Sequence, residues 1–242
     1  MTYCVALKLD AGLVLLSDTR TNAGLDNIAI YRKMFFFEEP GERIIAVMTA
    51  GSLSITQTTI SRLTEAVEDP DATEKTSIMM APSMLGVADI IGETLARTRH
   101  EIASQYLELN QNQASASMIV AGQRAGGDMR LFLIYPEGNH IEATEDTPYL
   151  QIGEHKYGKP ILDRVVSPDT SLEDAQKAAL LSMDSTMKSN LSVGMPLDLA
   201  VIRAGACQVS DKRRIMSGDP QFSAMSEAWS EALRDAFVKM PI

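Results

Sequence analysis

The first fifty residues alternate short apolar runs with turn residues. Tyr3 to Leu9 and Leu13 to Asp18 are two such runs joined by Asp10-Ala11-Gly12. Lys33 to Phe37 and Ile44 to Thr49 form another pair, so the pattern predicts a hairpin followed by a second strand pair. After Gly51 the apolar spacing lengthens: Ile55, Thr59, Leu63 and Val67 share one helical face until Asp69-Pro70 ends it. A second helix is expected from about Pro82 to Glu108, with Met84, Ala88, Ile91, Leu95 and Ile102 along a stripe that reads as core.

Strands return at Ala116 to Ala121 and Met129 to Tyr135, joined by Ala125-Gly126-Gly127-Asp128, with a further one around Pro148 to Ile152. Thr170-Ser171-Leu172-Glu173 has the form of a capping box, Thr170 facing Glu173. It precedes a helix whose inner face is Leu172, Ala175, Ala179, Met183 and Met187. Strands at Asp198 to Arg203 and Cys207 to Ser210 lead to a last helix with Phe222, Met225, Trp229, Leu233 and Phe237 on one face. No repeat, low-complexity tract or linker interrupts this order, so residues 1–242 read as one domain. Hairpins dominate over alternating βαβ units, which favours an α+β fold of two antiparallel sheets covered by helices over a doubly wound parallel sheet.

Composition narrows the function. The chain is 45% hydrophobic and 22% charged, ordinary for a globular protein. Its 22 Lys+Arg against 32 Asp+Glu leave a net charge of −10, which argues against nucleic acid or an anionic membrane as partner. Met1 to Asp10 lacks the basic start and apolar core of a secretion signal, and no apolar run approaches the ~20 residues that span a bilayer. Cys4 and Cys207 are too few for a disulfide framework, and Cys4 reads as core. His100, His140 and His155 lack metal-ligand spacing. A soluble, cytoplasmic protein without metal or cofactor is expected.

Candidate chemistry begins at Thr2. A small residue after the initiator methionine permits removal of Met1, which would leave threonine with a free α-amine. A threonine hydroxyl is a poor nucleophile until a base takes its proton, and a terminal threonine carries that base on its own backbone. Ordinary α-amines titrate near 7.7–8.0, so roughly one in seven is neutral at pH 7, and a downward shift of about one unit makes roughly 60% neutral. A nearby lysine ammonium supplies such a shift, because like charge disfavours the protonated amine. Asp18, at the end of the second strand, could hold Lys33, at the start of the third, charged and directed. Gly51, between the fourth strand and the helix, could turn its backbone N–H to a developing oxyanion. Taken singly, the same residues read as a turn aspartate, a solvated lysine and a strand-to-helix glycine.

The order of Thr2, Ser17-Asp18-Thr19-Arg20, Lys33 and Thr49-Ala50-Gly51-Ser52 resembles the β-type subunits of the proteasome and their bacterial relative, in the N-terminal-nucleophile hydrolase class. Ser189-Asn190-Leu191-Ser192-Val193-Gly194 is similar to the family's late Asp-x-x-Ser-Gly stretch. The start and the acidic carboxy-terminal helix are most like the ancestral β-subunit group of bacteria. The resemblance implies a four-layer αββα sandwich and a threonine hydrolase acting on amide bonds through an acyl-enzyme. It further implies catalytic roles for Thr2, Asp18, Lys33, Gly51 and Ser192, and a substrate pocket at Thr21, Phe35, Thr49 and Leu53. It implies self-association into a ring or open helical oligomer that admits peptide or unfolded protein, with any unfoldase partner unknown. A catalytically silent scaffold subunit and a small-amide hydrolase are the alternatives.

Three positions depart from the family pattern. Asp18 and Lys33 are one residue closer than usual, Gly153-Glu154-His155 replaces Gly-Ser-Gly, and Ser189 replaces the late aspartate. An ionised Glu154 near the amine would raise its pKa; alternatively Glu154 could pair with Lys33 or the amine and relay a proton.

Overall fold

The structure is a computed structural model and describes residues 1–22, 28–105 and 115–241. In chain order the first strands are β1 (Tyr3–Leu9), β2 (Gly12–Asp18), β3 (Arg20–Asn22), β4 (Ile28–Ile30), β5 (Met34–Glu39) and β6 (Arg43–Gly51). Helices α1 (Leu53–Glu68) and α2 (Met84–Gln105) follow, then β7 (Ala116–Arg124), β8 (Arg130–Ile134), β9 (His140–Glu142) and β10 (Tyr149–Gly153). The chain closes with α3 (Lys159–Val165), α4 (Leu172–Ser189), β11 (Leu197–Arg203), β12 (Asp211–Ile215) and α5 (Pro220–Lys239).

Two five-stranded antiparallel sheets result, ordered β10-β1-β2-β11-β12 and β5-β6-β7-β8-β9, with β3 and β4 as a separate ribbon. Their central strands are buried on both faces, and side-chain alternation assigns the two sets to different layers. Cys4, Ala6, Leu13 and Leu15 join Ile44, Ala46 and Met48 between the sheets. Val5, Leu7, Val14 and Leu16 turn outward to Ala175, Ala179 and Met183 of α4. Ile45, Val47, Met118 and Val120 turn the other way, to α1 and α2. Three apolar layers between four layers of backbone make the αββα sandwich. Each fully buried Leu, Ile or Val stabilises by about 1.5–3 kcal/mol, and here both faces of a strand contribute.

Several local expectations shift. The second helix starts at Met84, because the Ser83 hydroxyl accepts the Gly86 N–H at 3.1 Å; Glu108, its expected end, lies outside the described residues. The cap of α4 is Ser171 and not Thr170: the Ser171 side chain accepts the Asp174 N–H at 3.1 Å, while Thr170 is engaged in the preceding turn, accepting the Ser167 N–H at 2.9 Å. The strand expected at Cys207 to Ser210 is a connection, in which Cys207 takes φ +47° and Ser210 closes onto Arg203. The strand comes afterwards, at Asp211–Ile215. The apolar face of α5 stays unburied: Phe222 and Met225 lean on the outer layer, but Leu233 is 50% and Phe237 81% exposed. Among the described residues no helix is long and apolar enough to cross a membrane.

Register then fixes one functional end. Tyr3 pairs with Gly153, Cys4 with Ser17, Leu197 with Asp18, Met34 with Met48, and Gly51 with Ala116. The start of β1, the end of β2, the start of β5 and the ends of β6 and β10 therefore meet at the same end of the sandwich. The cap assignment has a direct check: Ser171→Ala should lower stability by about 1 kcal/mol in urea unfolding, and Glu173→Ala by less, about the few tenths of a kcal/mol that an acidic side chain in the first turn contributes. The opposite ranking would restore the Thr170–Glu173 box.

Candidate active site

Asp18 leaves β2 with its carboxylate buried. Oδ1 accepts the Tyr3 N–H at 3.1 Å and the Lys33 ammonium at 2.7 Å, and Oδ2 accepts the Gly194 N–H at 3.4 Å. Lys33 donates a second bond to the Arg20 carbonyl at 2.6 Å. The two side chains are 0% and 6% exposed, which makes this an interior ion pair. Burial pushes the Asp18 carboxyl above its ordinary range, opposed first by the Lys33 charge and hydrogen bond and then by the two backbone N–H groups.

Two glycines permit close backbone approaches at this end of the sandwich, one of them to Thr2. Gly153 has φ +82°, and a Cβ there would lie 1.9 Å from the Thr2 carbonyl oxygen; the next N–H, of Glu154, donates to that oxygen at 2.7 Å. Gly51 has φ +106°, and its Cβ would fall 2.3 Å from the Ser115 carbonyl oxygen. Neither site tolerates a side chain without moving backbone.

Thr2, Lys33 and Gly51 line one cavity of about 360 Å³ with Thr21, Phe35, Thr49 and Leu53, the residues expected to form a substrate pocket. Met1, Arg32 and Gly153 border it as well. Asp18 stands behind Lys33. Ser192 is outside this lining: its N–H turns to the Asn190 side chain at 2.9 Å, and Gly194, two residues on, is what reaches Asp18. Glu154 forms no ion pair with Lys33 among the described residues, and its contact with Thr2 is through backbone. Cys4 is fully buried, its thiol 3.7 Å from the Thr49 carbonyl; burial pushes that thiol up, so it stays protonated.

Sequence reading passed over the groups that hold Thr2 in place. The Tyr3 hydroxyl lies 2.5 Å from Ser182 Oγ on α4 and accepts from Gln151 Nε2 at 2.5 Å, which ties β1 to α4 and β10. Arg20 packs its guanidinium on Gly194, where a Cβ would lie 2.4 Å from Cζ, and donates to the Leu191 carbonyl at 3.0 Å. A tyrosine in an apolar strand carries no signal for such a role. Arg20 stood in the Asp18-Thr19-Arg20 stretch, but its partner is 171 residues away.

Residues 2–202 match the family described as proteasome subunit. The chain belongs to the proteasome subunit family. Among solved members, Anbu (ancestral beta-subunit) from Yersinia bercovieri is 43% identical over 99% of this chain and 98% of its own, with a TM-score of 0.91. An Anbu (Gly-1) mutant from Hyphomicrobium sp. strain MC1 is 46% identical over 100% and 99%, at 0.93. The helical assembly of the Anbu complex from Pseudomonas aeruginosa is 44% identical over 99% and 97%, at 0.91. No curated protein matches the chain.

Within this family member the ion pair is the costly element. Asp18→Ala leaves the Lys33 ammonium buried against one carbonyl and should cost about 3–5 kcal/mol in urea unfolding. A loss under about 1 kcal/mol would mean that water compensates Lys33.

Proposed function

We propose that the protein is a threonine-type hydrolase of amide bonds, and that it works as an oligomer in the cytoplasm. Removal of Met1 frees the Thr2 amine, which takes the proton of the Thr2 hydroxyl as the oxygen attacks the scissile carbonyl. The Lys33 ammonium keeps that amine neutral, and Asp18 positions Lys33. The Gly51 N–H stabilises the oxyanion, a donor whose loss typically costs ~10²–10³ in rate. The amine then protonates the leaving amine, and a water activated by the same group releases the acyl chain. Ser192 acts through the 189–194 loop, whose Gly194 N–H lies on Asp18.

The observation that carries this reading is the buried Lys33–Asp18 pair, with Lys33 lining the same cavity as Thr2 and Gly51. Phe35 and Leu53 beside Thr21 and Thr49 favour an apolar side chain of modest size. Self-association is supported by the open apolar face of α5 and by the helical assembly named for the Pseudomonas relative. Ordered docking of peptide or unfolded protein through such an assembly follows from the same reading.

Intact mass and covalent labelling test it together. Loss of one methionine and a single adduct with a peptide epoxyketone or β-lactone are expected, with Lys33→Ala still folded but unlabelled. A retained Met1 with no adduct overturns the enzyme reading in favour of a silent scaffold. Undiminished labelling of Lys33→Ala removes Lys33 from the mechanism.

A further inference from the structure

A second cleft, of about 250 Å³, lies where the edge strand β12 of one sheet faces the edge strand β5 of the other. Arg32, Lys212 and Arg214 bring three cations to it in a chain whose net charge is −10. One carboxylate answers them: Asp198 takes Arg214 in a two-pronged pair at 2.7 and 2.8 Å. Arg213 alternates to the other face of β12, where it donates to the Gln221 side chain of α5 at 3.1 Å, whereas Lys212 stands 4.7 Å above the Phe36 ring. Among the described residues Arg32 and Lys212 have no carboxylate within ion-pair distance.

This cleft meets the Thr2 cavity at Arg32, which lines both. The alternation of side chains along an extended chain produces the junction. Lys33 and Phe35 face the Thr2 cavity, while Met34 and Phe36 floor the cationic cleft behind it.

We propose that the cleft receives an acidic side chain of a peptide whose backbone runs into the Thr2 cavity. The inference rests on the hydrolase reading and deepens it by assigning a substrate class: peptides carrying glutamate or aspartate near the scissile bond. Asp198 holds Arg214 in place, and Arg32 and Lys212 remain to meet an incoming carboxylate, the first with a guanidinium fork matched to its geometry. A cleft of one sign concentrates the opposite charge, and the acidic remainder of the chain repels the same peptide elsewhere.

The test uses the full chain carrying Thr2→Ala, so that bound peptide is not consumed, and two fluorescein-labelled peptides that differ only in two glutamates replaced by glutamines. Anisotropy at low salt should show the glutamate peptide binding about tenfold more tightly, the sum of two exposed charge pairs of ordinary strength. That preference should shrink as salt rises and vanish in the Arg32→Gln/Lys212→Gln double variant. Equal affinities, or a preference that survives the double variant, overturn the proposal. So does a double variant that changes the mass of the assembly without changing the preference, which would make the cleft a contact between copies. Paired glutamate and glutamine epoxyketones on the unsubstituted chain separate the two readings. Faster labelling by the glutamate probe supports both; no labelling by either, with the binding preference intact, removes the hydrolase reading and leaves the acidic-peptide cleft standing.

Discussion

A carboxylate and an ammonium held 2.7 Å apart with almost no exposure must be satisfied from within the protein, because each loses its hydration on burial at a cost of several kcal/mol. Asp18 and Lys33 meet that demand with backbone. The Tyr3 and Gly194 N–H groups complete the carboxylate, and the Arg20 carbonyl completes the ammonium. These groups belong to the first strand, the loop after α4 and the start of β3, so the ion pair fixes the position of segments far apart in sequence. Thr2 inherits its place from the same arrangement, one residue before the Tyr3 N–H. The apolar layers on both faces of β1 and β2 keep this end of the sandwich dry enough for the charge of Lys33 to be felt nearby.

The sandwich was legible in the sequence because its signals are local, whereas the candidate site could be named only from the order of Thr2, Asp18, Lys33 and Gly51 and the family that order resembles. Strands buried on both faces appear as continuous apolar runs, and α1, α2 and α4 carry apolar residues at helical spacing, so core layers could be named before any coordinates. Thr2, Asp18, Lys33 and Gly51 sit at the ends of those strands, and a strand end is easily located once the strand is known. The three-residue strands β3, β4 and β9 and the seven-residue α3 are too short to show a period. Strand β12 reads Asp-Lys-Arg-Arg-Ile and hides as a polar stretch, since an edge strand needs no apolar alternation. Ser171 displaced Thr170 as a cap because the preceding turn had already claimed the Thr170 hydroxyl. The Tyr3–Ser182–Gln151 contact behind Thr2 went unseen because it depends on partners about 150 residues or more away.

Placing the site at one end of two stacked sheets also shapes what can reach it. The sheets are open along the β5–β12 side, where one cationic cleft approaches Thr2 through Arg32. The net charge of −10 then has two consequences: it sets this cleft apart from the rest of the surface, and every added subunit of an assembly must keep its like charge away from the contacts. The uncovered apolar side of α5 is a surface on which association gains burial.

The central claim is that a buried lysine holds the threonine amine neutral near pH 7. Titration of the Thr2 α-amine by ¹⁵N NMR, in protein lacking Met1, measures this directly. The account predicts a pKa below the ~7.7–8.0 of an ordinary α-amine, returning to that range in Lys33→Met. A value at or above about 8 in the unsubstituted protein, unmoved by Lys33→Met, would contradict it.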